Sequence, residues 1–286
     1  MTEAWVLIRG GLGNQMFQVA YGTVLAQRYG VAVRHVDFSQ DARVQRDWGL
    51  SVFGVPRHAL SRPQWLALRY GIIAARKLQN ATAWARPFGM QLEPVEGGRL
   101  DWPAQAPWLS DGYWQQASYY QDALPALRAR FHVDLGVHGA QLQALRQMGR
   151  PIVAMHARRG DYVSDPAAAM HLVCDVAYYQ RAWADLKARV PQALLWVFSD
   201  DLEWARTHLS FEPDTQFAEG TQQQPAWVDM MRMARCDHFI ISNSSYSWWA
   251  AMLASTPGKQ VVAPTHWLVG KPTRDAGICP GDWVLL

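Results

Sequence analysis

PIVAMHARRGDY, residues 151–162, runs from a short apolar segment straight into two adjacent arginines and a Gly-Asp pair. The apolar part is short, bounded by proline, and rich in branched side chains, so it reads as a buried strand rather than a helix. ALLWVFS (193–199), HFIIS (238–242) and KQVVAP (259–264) read the same way. Between and after them lie amphipathic segments with apolar residues at helical spacing. These are DVAYYQRAWADLKARV (175–190), DLEWARTHL (201–209), PAWVDMMRMARC (225–236) and SSYSWWAAMLAS (244–255). Apolar strands alternating with such helices imply a parallel sheet and an α/β class.

The first half repeats the pattern less regularly. AWVLIR (4–9) is strand-like and is followed by a glycine turn and a helical stretch from about Asn14 to Tyr29. VAVRHVDF (31–38) alternates, and WLSDGYW (108–114) leads into a helix-like YYQDALPALRARF (119–131). Two Rossmann-like domains are expected, 1–140 and 141–286, meeting near the polar stretch 134–150. A length of 286 residues suits two domains of roughly 150 each. Residues 57–107 fit the alternation least. From Trp48 to Leu92 there is no acidic residue, while Arg57, Arg62, Arg69, Arg76, Lys77 and Arg86 are present. SRPQWLALRYGIIAARKL (61–78) reads first as a solvated basic face over a packed one, and second as a helix in peripheral contact with an anionic membrane.

Composition removes several classes. Lys plus Arg number 27 against 24 Asp plus Glu, a net charge of +3 that gives no reason to expect nucleic acid as partner. The three cysteines show neither zinc-ligand spacing nor a disulfide framework. The N-terminus lacks the basic start and long apolar middle of an export signal, so a cytoplasmic protein is expected. Asn80-Ala81-Thr82 and Asn243-Ser244-Ser245 match a glycosylation pattern that such a protein would not use, and Arg159-Gly160-Asp161 behind a core strand is a coincidental tripeptide.

In open parallel sheets, ligands gather beyond the carboxyl ends of the strands. Four unusual stretches fall there: RGGLGNQ (9–15), HARRGDY (156–162), FSDD (198–201) and SNSSYSW (242–248). Guanidinium groups bind phosphate bidentately and stay charged. Neighbouring residues of an extended chain point to opposite faces, so Arg158, in phase with His156, is the anion contact and Arg159 the loop anchor. Asn243 or Ser244 can cap the next helix and leave N–H groups and hydroxyls at its positive end, which by itself would be an ordinary N-cap. Gly10, Gly11 and Gly13 make a close-approach turn, but Met16 replaces the small residue a dinucleotide fingerprint needs, which weakens an NAD-dependent oxidoreductase. Ser199, Asp200 and Asp201 can accept from ribose or base, or cap a helix. No Asp-x-Asp occurs, so a bound diphosphate must be balanced by arginine and backbone N–H groups without metal. The 15 tryptophans are mostly expected in the core, though they leave a non-catalytic sugar-binding module as a rival.

Taken in order, GGLGNQMFQVAYG (10–22), DGYWQ (111–115), HARRGDY, YYQRA (178–182), FSDDLEWA (198–205), ISNSSYSWWAAML (241–253) and VVAPTHW (261–267) resemble the family 11 glycosyltransferases, the α-1,2-fucosyltransferases. The resemblance implies a GT-B architecture with two domains facing a central cleft. It implies GDP-fucose as donor, no required metal or other cofactor, inversion at the anomeric carbon, and a galactose-terminated oligosaccharide or lipid-linked acceptor held by the N-terminal domain. A related enzyme using another GDP-sugar is the nearest alternative. Carried over by position, Arg158 is the pyrophosphate contact. His156, Asp200 and Asp229 are implied to hold guanosine, Ser244 and Ser245 are phosphate-contacting hydroxyls, and Asn14 and Gln15 face the reacting sugars. The general base is sought first at Asp161, with Asp37 and Asp111 as alternatives.

Overall fold

A computed structural model of the chain describes residues 3–39, 47–81, 89–93, 102, 105–159, 174–220 and 223–286, with the backbone alone described at 78–81. It divides into two units, Met1–Arg130 and Phe131–Leu286. The division precedes the expected 140/141 because residues 131–139 pack against α/β elements of the second half. The Phe131 ring lies 5.4 Å from Trp249, His138 lies 5.5 Å from Trp227, and Arg232 donates to the His138 carbonyl.

In the first unit, β1 (Glu3–Ile8), α1 (Leu12–Tyr29), β2 (Ala32–Asp37), β3 (His58–Ala59), α2 (Arg62–Ala81), β4 (Met90–Leu92) and β5 (Leu109–Asp111) precede a short α3 (Leu124–Arg130). The sheet order is β3-β2-β1-β5-β4, and every pairing is parallel. Strand alternation sorts the side chains. Leu7 and Val36 join Trp65, Ile72 and Ala75 of α2 in one core cluster, whereas Val6, Val33 and His35 face Gly22 of α1. The stretch that fitted the alternation least therefore supplies α2 and two edge strands. Those strands are two and three residues long, too short for any periodicity to reveal. On α2, Trp65, Ile72 and Ala75 are buried while Arg62, Tyr70 and Lys77 face outward.

In the second unit, α4 (Ala140–Gln147) is followed by β6 (Ile152–Ala157), α5 (Val176–Arg189), β7 (Leu194–Ser199), α6 (Leu202–His208), β8 (Gln216–Phe217), α7 (Ala226–Met233), β9 (His238–Ile240), α8 (Ser245–Leu253) and β10 (Val261–Ala263). A two-stranded antiparallel ribbon, β11 (His266–Leu268) and β12 (Lys271–Pro272), then α9 (Thr273–Ala276) and β13 (Val284–Leu285), complete the chain. The main sheet is parallel throughout, with order β13-β10-β9-β6-β7-β8. β6 and β7 are buried at every residue, as strands covered on both faces must be. Val153, Met155 and Ala157 pack with Tyr179, Trp183 and Leu186 of α5, so Ala154 and His156 face the other side. Trp196, Trp248 and Trp249 are fully buried, in keeping with tryptophan as core filler. No helix among the described residues is long and apolar enough to cross a membrane.

His35 is buried between β2 and α1, and its Nε2 has no hydrogen-bond partner. Burial, aided by Arg130, pushes its imidazole down to about 4 from 6.5. Between those two values the unfolded chain binds a proton that the folded one refuses, so stability rises with pH across that window and is lost as pH falls through it. The expected melting temperature drops by several degrees from pH 6.5 to pH 4. A His35→Leu variant, followed by circular dichroism, should show a shallower slope over the same range.

Candidate functional site

The second sheet reverses its winding beside β6. The chain lays down β7 and β8 on one side, then returns to place β9 and β10 on the other. A reversal of this kind opens a crevice at the carboxyl ends of the two strands that flank it, here β6 and β9. Arg158 and Arg159 leave β6 at that edge, and Ser242–Ser244 leave β9.

Asp200, one residue past β7, organises the arginines. Its Oδ2 lies 2.9 Å from Arg158 Nη1, and its Oδ1 accepts the backbone N–H of Arg159 at 2.8 Å. The two guanidinium groups diverge as strand alternation requires. Arg159 lies over the Trp204 ring at 3.9 Å and is 3.5 Å from Asp201, so it anchors the loop. The Arg158 side chain stays 28% exposed.

His156 sits beneath, 5% exposed, with Nδ1 3.0 Å from Ser242 Oγ and its ring 5.4 Å from that of Tyr246. Burial, with the Arg158 cation second, pushes the imidazole down to about 3. That favours the neutral ring, which meets the Ser242 hydroxyl in this contact. Ser244 caps α8 by accepting the Tyr246 N–H at 3.3 Å, and Ser245 is the first helical residue. Asn243 is fixed by donating to the Trp267 carbonyl at 2.9 Å. The Tyr246 hydroxyl donates to the Ala226 carbonyl and so ties α8 to the start of α7. Asp229 lies within electrostatic reach of Tyr246 and is bonded to Arg232 at 3.0 Å. Ser199 is buried and accepts the Asp201 N–H at 3.0 Å, a turn-forming contact. His156, Arg158, Asp200, Asn243, Ser244 and Ser245 thus belong to one sheet edge, with Asp229 joined through Tyr246. Asp161 lies outside the described residues.

In the first unit the matching edge is built by amides of α1. Gly10 has φ +84°, and a Cβ there would come within 2.9 Å of Asn14 Nδ2, so the turn before Gly11 requires glycine. Asn14 accepts from Gln115 at 2.8 Å. Gln15 donates to the Gly10 and Asp47 carbonyls and accepts the Gly49 N–H, at 2.9, 2.8 and 3.1 Å. It is 3% exposed, and these contacts make it a brace between loops at the edge where Ile8, Arg9, Asp37, Ser39 and Trp48 also meet. Gln18 does the same deeper in: it accepts the Arg9 N–H at 2.9 Å and donates to the Gly112 carbonyl at 3.2 Å. Gly13 lies buried in the first turn of α1.

Charges here are paired. Asp111, 2% exposed, lies 2.5 Å from Arg9 and 2.8 Å from Arg76. Asp37 meets Arg57 at 2.5 Å and accepts the Ser39 N–H at 2.9 Å. Burial raises the Asp37 carboxyl, but the Ser39 and Arg57 donors outweigh it and hold it below the usual range. Glu93 accepts the Tyr113 and Trp114 N–H groups at 2.5 and 2.8 Å, and a Cβ on Gly112 would come within 2.5 Å of its Cβ. Burial, against those hydrogen bonds, keeps its carboxyl above the usual range. Trp114 has φ +57°, a strained value for a bulky residue, and is held there by Glu93 and by stacking on Tyr21 at 4.1 Å. Gln18, Glu93, Trp204 and Tyr246 were not singled out from sequence as site residues. Gln18 alone had a signal, a polar residue one helical turn from Gln15 on a buried face.

Paired parallel α/β units, one with an arginine-bearing loop at its switch point, are the components of a GT-B glycosyltransferase. Residues 95–276 match Glycosyl transferase family 11. The chain is 34% identical to an alpha-1,2-colitosyltransferase of Escherichia coli over 97% of its own length and 96% of that protein's. It is 35% identical to the O-antigen biosynthesis glycosyltransferase WbnK of Escherichia coli, over 44% of this chain and 43% of that one. It is 32% identical to human galactoside alpha-(1,2)-fucosyltransferase 1, over 40% of this chain and 32% of that one. The chain belongs to glycosyltransferase family 11.

Replacing Gln18 by Leu leaves the Arg9 N–H and the Gly112 carbonyl without their partner. The expected cost is about 1–3 kcal/mol of stability, read from urea unfolding. A variant as stable as the parent would show that Gln18 does not brace the two strand ends.

Proposed function

We propose that the chain transfers L-fucose from GDP-β-L-fucose to the 2-hydroxyl of a terminal β-galactoside, with inversion and an α-1,2 linkage, in the synthesis of a surface polysaccharide or oligosaccharide. The observation that carries this reading is the Arg158 guanidinium, aimed by Asp200 and partly open, beside the capped start of α8 at a sheet switch point. Membership of family 11 supports it. So does the α-1,2 linkage in the names of both the full-length bacterial relative and the human one.

In this reading the pyrophosphate lies on Arg158 and on the N–H groups at the start of α8, whose dipole favours an anion. As GDP leaves, negative charge grows on the β-phosphate, and a guanidinium already held by Asp200 stabilises it without reorganising. Ser244 and Ser245 stand at the helix start, and neutral His156 keeps Ser242 in place. Asp229 and Tyr246 border the same edge, where the nucleoside would lie. Arginine and backbone N–H groups balance the diphosphate, so no metal is needed. The acceptor is held by the first unit, where Asn14 and the 111–115 loop meet. Asp161 is the first candidate to take the proton from the 2-hydroxyl.

The near full-length alignment with a colitosyltransferase favours a second reading, a GDP-colitose donor. Colitose is fucose without its 3-hydroxyl, so the two donors differ by one hydrogen-bonding group. A site built to bond that hydroxyl rejects the deoxy sugar strongly, whereas an apolar pocket discriminates weakly.

The test is turnover of GDP-fucose and GDP-colitose by the purified protein, with and without EDTA. The acceptors are lactose, lacto-N-biose and galactose-β-1,3-N-acetylgalactosamine. Expected are EDTA-insensitive GDP release, an α-1,2 product with one galactoside, and a loss of about a hundredfold or more in Arg158→Ala. Near-normal turnover in that variant contradicts the assignment. Transfer from GDP-colitose alone selects the second donor.

A further inference from the structure

The helix α2 (Arg62–Ala81) buries one side and presents the other to solvent. Trp65, Ile72 and Ala75 pack into the core of the first unit. At 3.6 residues per turn, Ala67, Tyr70 and Ala74 form a stripe on the opposite side, with Ile73 beside it. All four are exposed, Tyr70 at 65% and Ile73 at 41%.

A helix face that met only water would carry charged or amide side chains at those positions. Here the middle is apolar, and the exposed cations Arg62 and Lys77 stand towards the two ends. The solvated basic face expected of this segment is therefore basic only at its ends. Other cations of the helix are engaged, Arg76 with Asp111 at 2.8 Å and Arg69 over the Trp65 ring at 5.2 Å. No acidic residue occurs from Trp48 to Leu92, so neither Arg62 nor Lys77 has a carboxylate within one turn of the helix.

That pattern selects what can cover the face. A second copy docked through it in a two-fold contact would set the face against itself, and its cations would meet apolar side chains or one another. A bilayer with anionic headgroups suits both halves of the pattern. Apolar side chains enter the boundary between headgroups and acyl chains, and a tyrosine there keeps its ring in the apolar layer and its hydroxyl in the wet one. Each cation near such a surface strengthens binding about fivefold.

We infer that the outward face of α2 docks on an anionic phospholipid surface, with Tyr70 and Ile73 inserted at the interface and Arg62 and Lys77 on the headgroups. This docking rests on the transferase reading only for its role, which is to hold the enzyme beside a lipid-linked acceptor.

The experiment is flotation of the full chain with vesicles of phosphatidylcholine, alone or mixed with phosphatidylglycerol in equal parts, at low and high salt. It is run on the parent, on Tyr70→Ser with Ile73→Ser, and on Arg62→Gln with Lys77→Gln, beside calorimetric titration of GDP. Expected is binding of the parent to the mixed vesicles at low salt, lost at high salt and on phosphatidylcholine alone. The partition should fall about 25-fold in the charge pair and about tenfold in the apolar pair, with GDP affinity unchanged. If one pair does not fold by circular dichroism, the other pair and the salt series carry the comparison. No flotation of the parent, or equal flotation of the folded variants, overturns the docking. So does a parent dimer that binds no vesicles and that Tyr70→Ser with Ile73→Ser dissolves, which would give the face to a second copy. Vesicle binding that depends on these residues in a protein that binds no GDP would uphold the docking and overturn the donor reading. GDP binding without flotation would do the reverse.

Discussion

The Asp200 carboxylate binds the Arg158 guanidinium with one oxygen and the Arg159 backbone N–H with the other. Those two contacts decide which way the chain leaves β6 and which arginine points to the switch point. Without them, two adjacent cations behind a buried strand would spread apart by repulsion and solvation. With them, one is anchored on Trp204 and the other is left partly open. The carboxylate comes from the neighbouring strand, so the cradle is assembled by sheet pairing, with Ala157 opposite Ser199 in the β6–β7 register. Preorganisation of this sort is what a transition-state contact needs, since a cation already fixed loses nothing in being aimed.

The first unit achieves comparable rigidity with neutral amides. Three side chains in the first two turns of α1 bond to three different loops: Asn14 to Gln115, Gln15 to residues 47 and 49, and Gln18 to Arg9 and Gly112. A helix start is a suitable place for such braces, because side chains there lie at the sheet edge where the loops converge. The strained Trp114 belongs to that same 112–115 loop, which Glu93, just past β4, fixes further by accepting its N–H.

Much of this was legible in the sequence. The parallel strands of the second half were visible because burial on both faces makes them continuously apolar, and α5 between two of them shows an apolar stripe in Tyr179, Trp183 and Leu186. The divergence of Arg158 and Arg159 followed from strand alternation alone. Other features were hidden for physical reasons. β3, β4 and β8 are too short to carry a period, and the boundary at 130/131 depends on ring contacts between residues a hundred or so positions apart. The bracing contacts of Gln15 were hidden because a polar residue near a glycine turn reads identically whether it bonds a ligand or a backbone. Asp200 was expected at the nucleoside; its ion pair with Arg158 depends on strand register, which periodicity does not carry. Nothing in the sequence marked Tyr246, whose hydroxyl ties two helices together.

The most direct measurement is a crystal structure of the protein soaked with GDP. The expected result is density for the diphosphate bonded to Arg158 and to the N–H groups at the start of α8, with the Arg158–Asp200 pair intact. A diphosphate bound elsewhere, or one that leaves Arg158 out of its contacts, would contradict the site.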